Sequence, residues 1–265
     1  MSYLQFHRSG RSGDLLSSIR LLAVRVYFNV VIYALIAFDT IGDLGKQLFR
    51  AHPQQPVSVD QPLDRFEEDI RLFEVNDLKQ PPRTGGTVFI GSSTFAHAAS
   101  RIENEFADLQ TICRAFGGST IPEINHYLAR VVLKYQPARI CFYAGTNDIA
   151  DGHSGRRVYR DFRRFVSSVQ AVLPEVEIYF VSMSAAPSRL QWLHQYIVGN
   201  RLVRYLTHCM NHLHYIDVVP AMYDLEGNFH SDWFLEDQLH MNSHGYDAWF
   251  PIIRQSLTGA KKVDR

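Results

Sequence analysis

The sequence predicts an α/β domain in which a parallel five-stranded sheet is covered by helices on both faces. Three observations carry this. Five short runs rich in Val, Ile, Phe and Tyr recur along the chain: TVFI (87–90), QTICRAF (110–116), ARICFYA (138–144), VEIYFVSM (176–183) and HYIDV (214–218). Amphipathic segments near 121–135, 156–173 and 189–212 separate the later ones, and a helix near 243–257 closes the chain. Each of the first three runs ends in a glycine-bearing turn. Runs that are apolar on both faces and separated by helices are what a parallel sheet buried on both sides requires. A three-layer α/β/α arrangement follows.

Ahead of the first run, Phe66, Ile70 and Phe73 recur at helical spacing between charged residues, and Pro81 and Pro82 stop that helix. Residues 51–62 carry Pro53, Pro56 and Pro62 with no apolar period and read as a linker. The domain division is therefore an N-terminal extension over 1–58 and a catalytic domain over 59–265. Within the extension, Arg8, Arg11 and Arg20 precede the apolar stretch LLAVRVYFNVVIYALIAF at 21–38, which Arg25 and Asn29 interrupt. Its uninterrupted apolar length falls short of the ~20 residues of a membrane-spanning helix. On a helix, Ser18, Arg25 and Asn29 would form one narrow polar stripe on an apolar rod. Two readings stay open: membrane association through the segment 15–38, which is preferred because so wide an apolar surface needs a cover, or packing of that helix against the fold or in a homo-oligomer.

With 265 residues the chain suits one α/β domain plus an extension. The 27 basic residues balance 27 acidic ones, so nothing points to a nucleic-acid partner. Cys113, Cys141 and Cys209 are an odd number, two of them in strand-like runs, which argues against a disulfide framework. The sequence has no CxxC pair, P-loop or dinucleotide fingerprint, and no cofactor or metal is expected.

In an open parallel sheet, ligands bind beyond the carboxyl ends of the strands. The residues there are Gly91-Ser92-Ser93-Thr94, Gly117-Gly118-Ser119 and Gly145-Thr146-Asn147-Asp148, joined by Asp237-Gln238-Leu239-His240 on the loop before the last helix. Each glycine turn alone is explained by backbone conformation. The set is not. A serine hydroxyl attacks an ester when a nearby base takes its proton, and a neutral imidazole suits that near pH 7. His240 fits that part, and Asp237, three residues earlier, can fix its tautomer. The backbone amides of Ser93 and Gly118 and the side-chain amide of Asn147 could stabilise the oxyanion.

The four blocks, quoted as FIGSSTF, FGGSTIPE, YAGTNDIA and LHMNSHGY, resemble the SGNH, or GDSL-like, hydrolases over roughly residues 60–257, and more narrowly a bacterial branch with a G-S-S turn. The resemblance implies a flavodoxin-like fold and acyl-ester hydrolysis without metal or cofactor. It also implies Ser93, Gly118, Asn147 and His240 as the name-giving residues, with Asp237 completing the triad. Ser92 stands where the family at large has Asp, which leaves two adjacent candidate nucleophiles. The expected substrate is a small-molecule or carbohydrate ester with a short acyl chain, since no long lid segment is evident. A sugar O-acyltransferase and a catalytically idle or membrane-tethered module on the same fold are the alternatives.

Other residues have plainer readings. Ser93 could instead cap a helix, Asn147 could make an Asx turn, and Asp148 organises its loop. His208, His212 and His214 read as a solvated helix face, and Ser188 through Gln191 as a capping box. Trp192 and Trp233 either line the pocket or belong to the core.

Overall fold

The computed structural model describes residues 62–259. Residues 62–223 and 229–259 form one compact unit. Asp224–Asn228 is a turn outside that unit, closed on itself by the Asn228 N–H donating to the Asp224 carboxylate (2.8 Å). The extension over 1–58, the 15–38 segment and the boundary at 59 lie outside the described residues. Among the described residues, no helix is long and apolar enough to cross a membrane.

The five expected strands form, in order, β1 (Thr87–Gly91), β2 (Thr111–Cys113), β3 (Arg139–Tyr143), β4 (Glu177–Val181) and β5 (Leu213–Ile216). All neighbours are parallel and the spatial order is β2-β1-β3-β4-β5. In register, Val88 lies beside Ile112 and Ile140, and Ile140 beside Ile178. Alternation then sends Val88, Ile90, Ile140, Phe142, Ile178 and Phe180 to one core, and Phe89, Cys113, Cys141, Tyr143, Tyr179 and Val181 to the other. Both faces are apolar because both are covered.

The first core is roofed by α1 (Glu67–Lys79), α4 (Ile121–Val131), α6 (Gly155–Gln170) and α7 (Leu193–Thr207). Their apolar positions recur at three and four residues, as Val158, Phe162, Phe165, Val166 and Val169 do along α6. The second core lies under α2 (Ser93–His97), α3 (Ala99–Glu105) and α8 (Ser243–Gly259), which contributes Tyr246, Trp249, Phe250 and Ile253. A short helix α5 (Thr146–Ala150) follows β3.

The segment expected to be helical over 189–212 divides into a 3-10 helix, Pro187–Trp192, and α7. Ser188 does not cap it. Pro187 begins the 3-10 turn with Ala186 in the cap position, and the Ser188 hydroxyl instead donates to the Gln238 carbonyl (2.9 Å). The histidines are not a helix face either, because α7 ends at Thr207 and His212 adopts φ +57° in a turn. The β4/β5 register brings Glu177 to His212 and His214, and its carboxylate bonds both rings. Cys113 and Cys141 are buried in strands, as expected.

Candidate active site

With β1 between β2 and β3, the strand connections run to opposite sides of β1, and the loops after these three strands meet at that switch point. Every glycine turn singled out in the sequence is there. Ser92 is the N-cap of α2 and is 1% exposed, whereas Ser93, the first residue of α2, is partly exposed. Ser93 lines a cavity of about 30 Å³ with Thr94, Tyr143, Thr146, Arg189, Leu239 and Trp249 among its walls. Of the two adjacent serines, Ser93 lines this cavity and Ser92 does not. Trp192 and Trp233 pack against the two cores instead, while Trp249 lines the cavity.

The loop after β2 turns at Gly118, whose φ of +79° is a conformation that side chains other than glycine adopt at a cost. Thr120 then starts α4 with a capping box in which Glu123 reaches back to the Thr120 backbone N–H (2.8 Å). Glu123 is 1% exposed, and Arg65 neutralises it with its guanidinium. The same guanidinium donates from Nη2 to the Gly118 carbonyl at 3.0 Å.

The loop after β3 turns at Gly145, φ +111°, where a Cβ would lie 2.7 Å from Met183 Sδ and 2.8 Å from Val158 Cγ1. Asn147 follows, 8% exposed. Its Nδ2 donates to the Ser119 carbonyl (3.0 Å) and its Oδ1 accepts from Arg189 Nη1 (2.9 Å). An amide nitrogen carries two hydrogens, so one N–H of Asn147 remains without an acceptor among the described residues. Asp148 is fully buried and accepts the backbone N–H of Ile121 at 3.1 Å, which ties the β3 loop to the start of α4. Burial pushes its carboxyl up to about 7.

The last loop is a tight reversal between Phe234 and Met241, which pair as an antiparallel bridge, with Gln238 at φ +54°. Asp237 Oδ1 accepts the backbone N–H groups of Leu239 (2.9 Å) and His240 (3.0 Å), and Oδ2 lies 2.6 Å from His240 Nδ1. Those hydrogen bonds hold the Asp237 carboxyl well below the usual carboxylate range. With Nδ1–H committed to Asp237, His240 keeps Nε2 as the basic nitrogen. His97, at the end of α2, packs its ring on that of His240 with centroids 4.3 Å apart. Desolvation, and then the charge of His240, hold His97 below the ordinary imidazole value.

The contacts close a ring. Ser93 and His97 share α2, His97 touches His240, Gln238 accepts from Ser188, Arg189 holds Asn147, and Asn147 holds Ser119. A Cβ placed on Gly117, next to Gly118, would lie 3.9 Å from Ser93 Cβ. The structure thereby gathers Ser93, Gly118, Asn147, Asp237 and His240 at one end of the sheet. Arg189, Arg65 and His97 were not found from sequence, since no local spacing marks them. The set offers a hydroxyl, an oriented imidazole and amide donors, which is equipment for acyl transfer.

Residues 84–248 match the GDSL-like Lipase/Acylhydrolase family. Solved structures share the fold. A GDSL-like lipase from Bacteroides thetaiotaomicron is 16% identical with a TM-score of 0.61, over 73% of this chain and 98% of that one. A catalytic mutant of an acetylxylan esterase from Geobacillus stearothermophilus is 11% identical with a TM-score of 0.54, over 66% and 95%. A family 3 carbohydrate esterase from Clostridium thermocellum is 14% identical with a TM-score of 0.51, over 65% and 94%. Among curated proteins there is no match.

Proposed function

Because the chain belongs to the GDSL-like lipase/acylhydrolase family and so to the carboxylic ester hydrolases, we propose that it removes short acyl groups from carbohydrate or other small-molecule esters by a Ser93 acyl-enzyme. The observation that carries this reading is the Asp237–His240 pair, whose imidazole packs on His97 of the helix that the partly exposed Ser93 begins. His240 Nε2 takes the Ser93 proton as Oγ bonds to the ester carbonyl carbon. The carbonyl oxygen becomes an oxyanion among the N–H groups of Ser93 and Gly118 and the free N–H of Asn147. Collapse breaks the bond to the alcohol, which leaves with the proton from His240. Water, deprotonated by the same imidazole, then releases the acid.

The size of the cavity supports a short acyl group. A volume of about 30 Å³ holds two or three water-sized groups at roughly 10–15 Å³ each, which is room for an acetyl. The carbohydrate part of the reading draws on the two fold neighbours named as carbohydrate and acetylxylan esterases. The test is covalent labelling. A fluorophosphonate should add one mass equivalent to the purified protein and none to Ser93→Ala, and 4-nitrophenyl acetate should be turned over only by the former. Absence of both labelling and turnover in the unaltered protein would refute the proposal.

A further inference from the structure

Asn147 is the donor whose direction depends on a side chain, and that side chain is tied at both ends. Its Nδ2 donates to Ser119 and its Oδ1 accepts from Arg189 across 42 positions of sequence. Without the cation, the carboxamide could rotate by a half-turn and present its oxygen where a hydrogen is needed.

The guanidinium of Arg189 bonds a neutral acceptor, Asn147 Oδ1. Among the described residues no carboxylate lies within ion-pair distance of it, although it is only partly exposed and lines the cavity with Ser93. The neighbouring phenols do not supply an anion, since burial raises Tyr143 and pushes Tyr196 up to about 12. The remaining cavity walls (Thr94, Thr146, Ser184, Phe234, Leu239 and Met241 among them) are neutral. A cation left unpaired in a half-buried site is costly unless an anion arrives, and in an acyl transfer the anion appears on the carbonyl oxygen as the tetrahedral intermediate forms.

We propose that Arg189 is a positioning residue for ester hydrolysis, which holds Asn147 with an N–H directed at the oxyanion and polarises that amide when negative charge develops. This rests on the Ser93 acyl-enzyme reading above. The segment that carries Arg189 is itself anchored to the base loop, because the N–H and hydroxyl of Ser188 both donate to the Gln238 carbonyl (3.0 and 2.9 Å). One short 3-10 turn, Pro187–Trp192, therefore connects the loop of the general base to the oxyanion donor.

The experiment is a double-mutant cycle in steady-state hydrolysis of 4-nitrophenyl acetate. Arg189→Met should lower kcat by about tenfold or more with KM within about twofold, and Arg189→Lys should recover a good part of it. In an Asn147→Ala background the same Arg189→Met change should alter kcat by less than about twofold, because its effect travels through the amide. A full additive loss in that background would overturn the proposal. So would an unchanged kcat, or a rise confined to KM for an ester with an anionic acyl chain, which would make Arg189 a substrate-anion contact. If the unaltered enzyme neither hydrolyses the ester nor takes the fluorophosphonate, the failure lies with the acyl-enzyme reading. If it does both and Arg189→Met is indifferent, only the role of Arg189 falls.

Discussion

The carboxylate of Asp237 holds His240 twice: through Oδ2, 2.6 Å from the ring Nδ1, and through Oδ1, which accepts the backbone N–H of the same residue at 3.0 Å. The first contact fixes the ring, and the second fixes the loop from which the ring projects. An orienting group and a base differ in what their loss costs. His240→Ala should reduce kcat to the level of Ser93→Ala, whereas Asp237→Asn should leave a residual rate at least about tenfold higher than that. Because the Asp237 carboxyl lies far below the usual range, the difference between Asp237→Asn and the unaltered enzyme should persist across the assay pH range. Equal, mild losses for both variants in kcat measurements would remove them from the catalytic set.

The two adjacent serines can be separated by the same assay. Ser92 is the buried cap residue and Ser93 the one lining the cavity. Ser93→Ala should abolish turnover and fluorophosphonate labelling with little change in thermal midpoint. Ser92→Ala should retain a good part of both. Intact mass after labelling distinguishes the two, and an adduct that survives Ser93→Ala would transfer the nucleophile to Ser92.

How much of this was legible depends on how local the signal is. Val88, Phe89 and Ile90 are apolar at successive positions, so β1 had to be buried on both faces and the sheet parallel. The four blocks at strand ends announced themselves by glycine and by residue type. By contrast, α2 is five residues long, too short to show a helical period, and its cap position is Ser92 rather than Ser93. The Ser188–Gln191 pattern misled because a proline one residue earlier starts a 3-10 turn there. Glu177 reaches His212 and His214 only through the β4/β5 register. The contacts that steady the loops after β2 and β3 are invisible for the same reason, since Arg189 meets Asn147 across 42 positions and Arg65 meets Glu123 across 58.

The Arg65 contact is a test of the Gly118 loop. Glu123 is almost wholly buried, bonds Thr120 and is neutralised by Arg65, which also holds the Gly118 carbonyl. Arg65→Met would leave a buried carboxylate without its cation and release that carbonyl. Loss of stability of about 2 kcal/mol by urea unfolding is expected, less than for a fully buried pair because Arg65 is one-third exposed. Glu123→Gln in the same chain should restore part of that stability by removing the stranded charge, while kcat stays lowered because Gly118 remains unheld. Recovery of kcat along with stability would show that the Arg65–Gly118 bond has no bearing on catalysis.

Asp148 makes the last prediction. It is fully buried beside Asn147 and its carboxyl is raised from 3.8 to about 7, chiefly by burial, with Asp161 and Asp151 adding to the rise and the Ile121 N–H opposing it. The folded chain therefore binds a proton here that the unfolded chain has already lost between about pH 4 and pH 7. Stability linked to this group should fall as pH climbs through that window and level off above 7, by at most a few kcal/mol. Asp148→Asn has no proton to lose, and its Oδ1 can still accept from Ile121. Other titrating groups are common to both proteins, so the difference between them isolates Asp148. Urea midpoints measured from pH 5 to pH 8 should decline more steeply for the unaltered protein than for Asp148→Asn, and the variant should be at least as stable above pH 7. Parallel curves would mean that Asp148 is ionised in the folded state, held as a carboxylate by the N-terminus of α4.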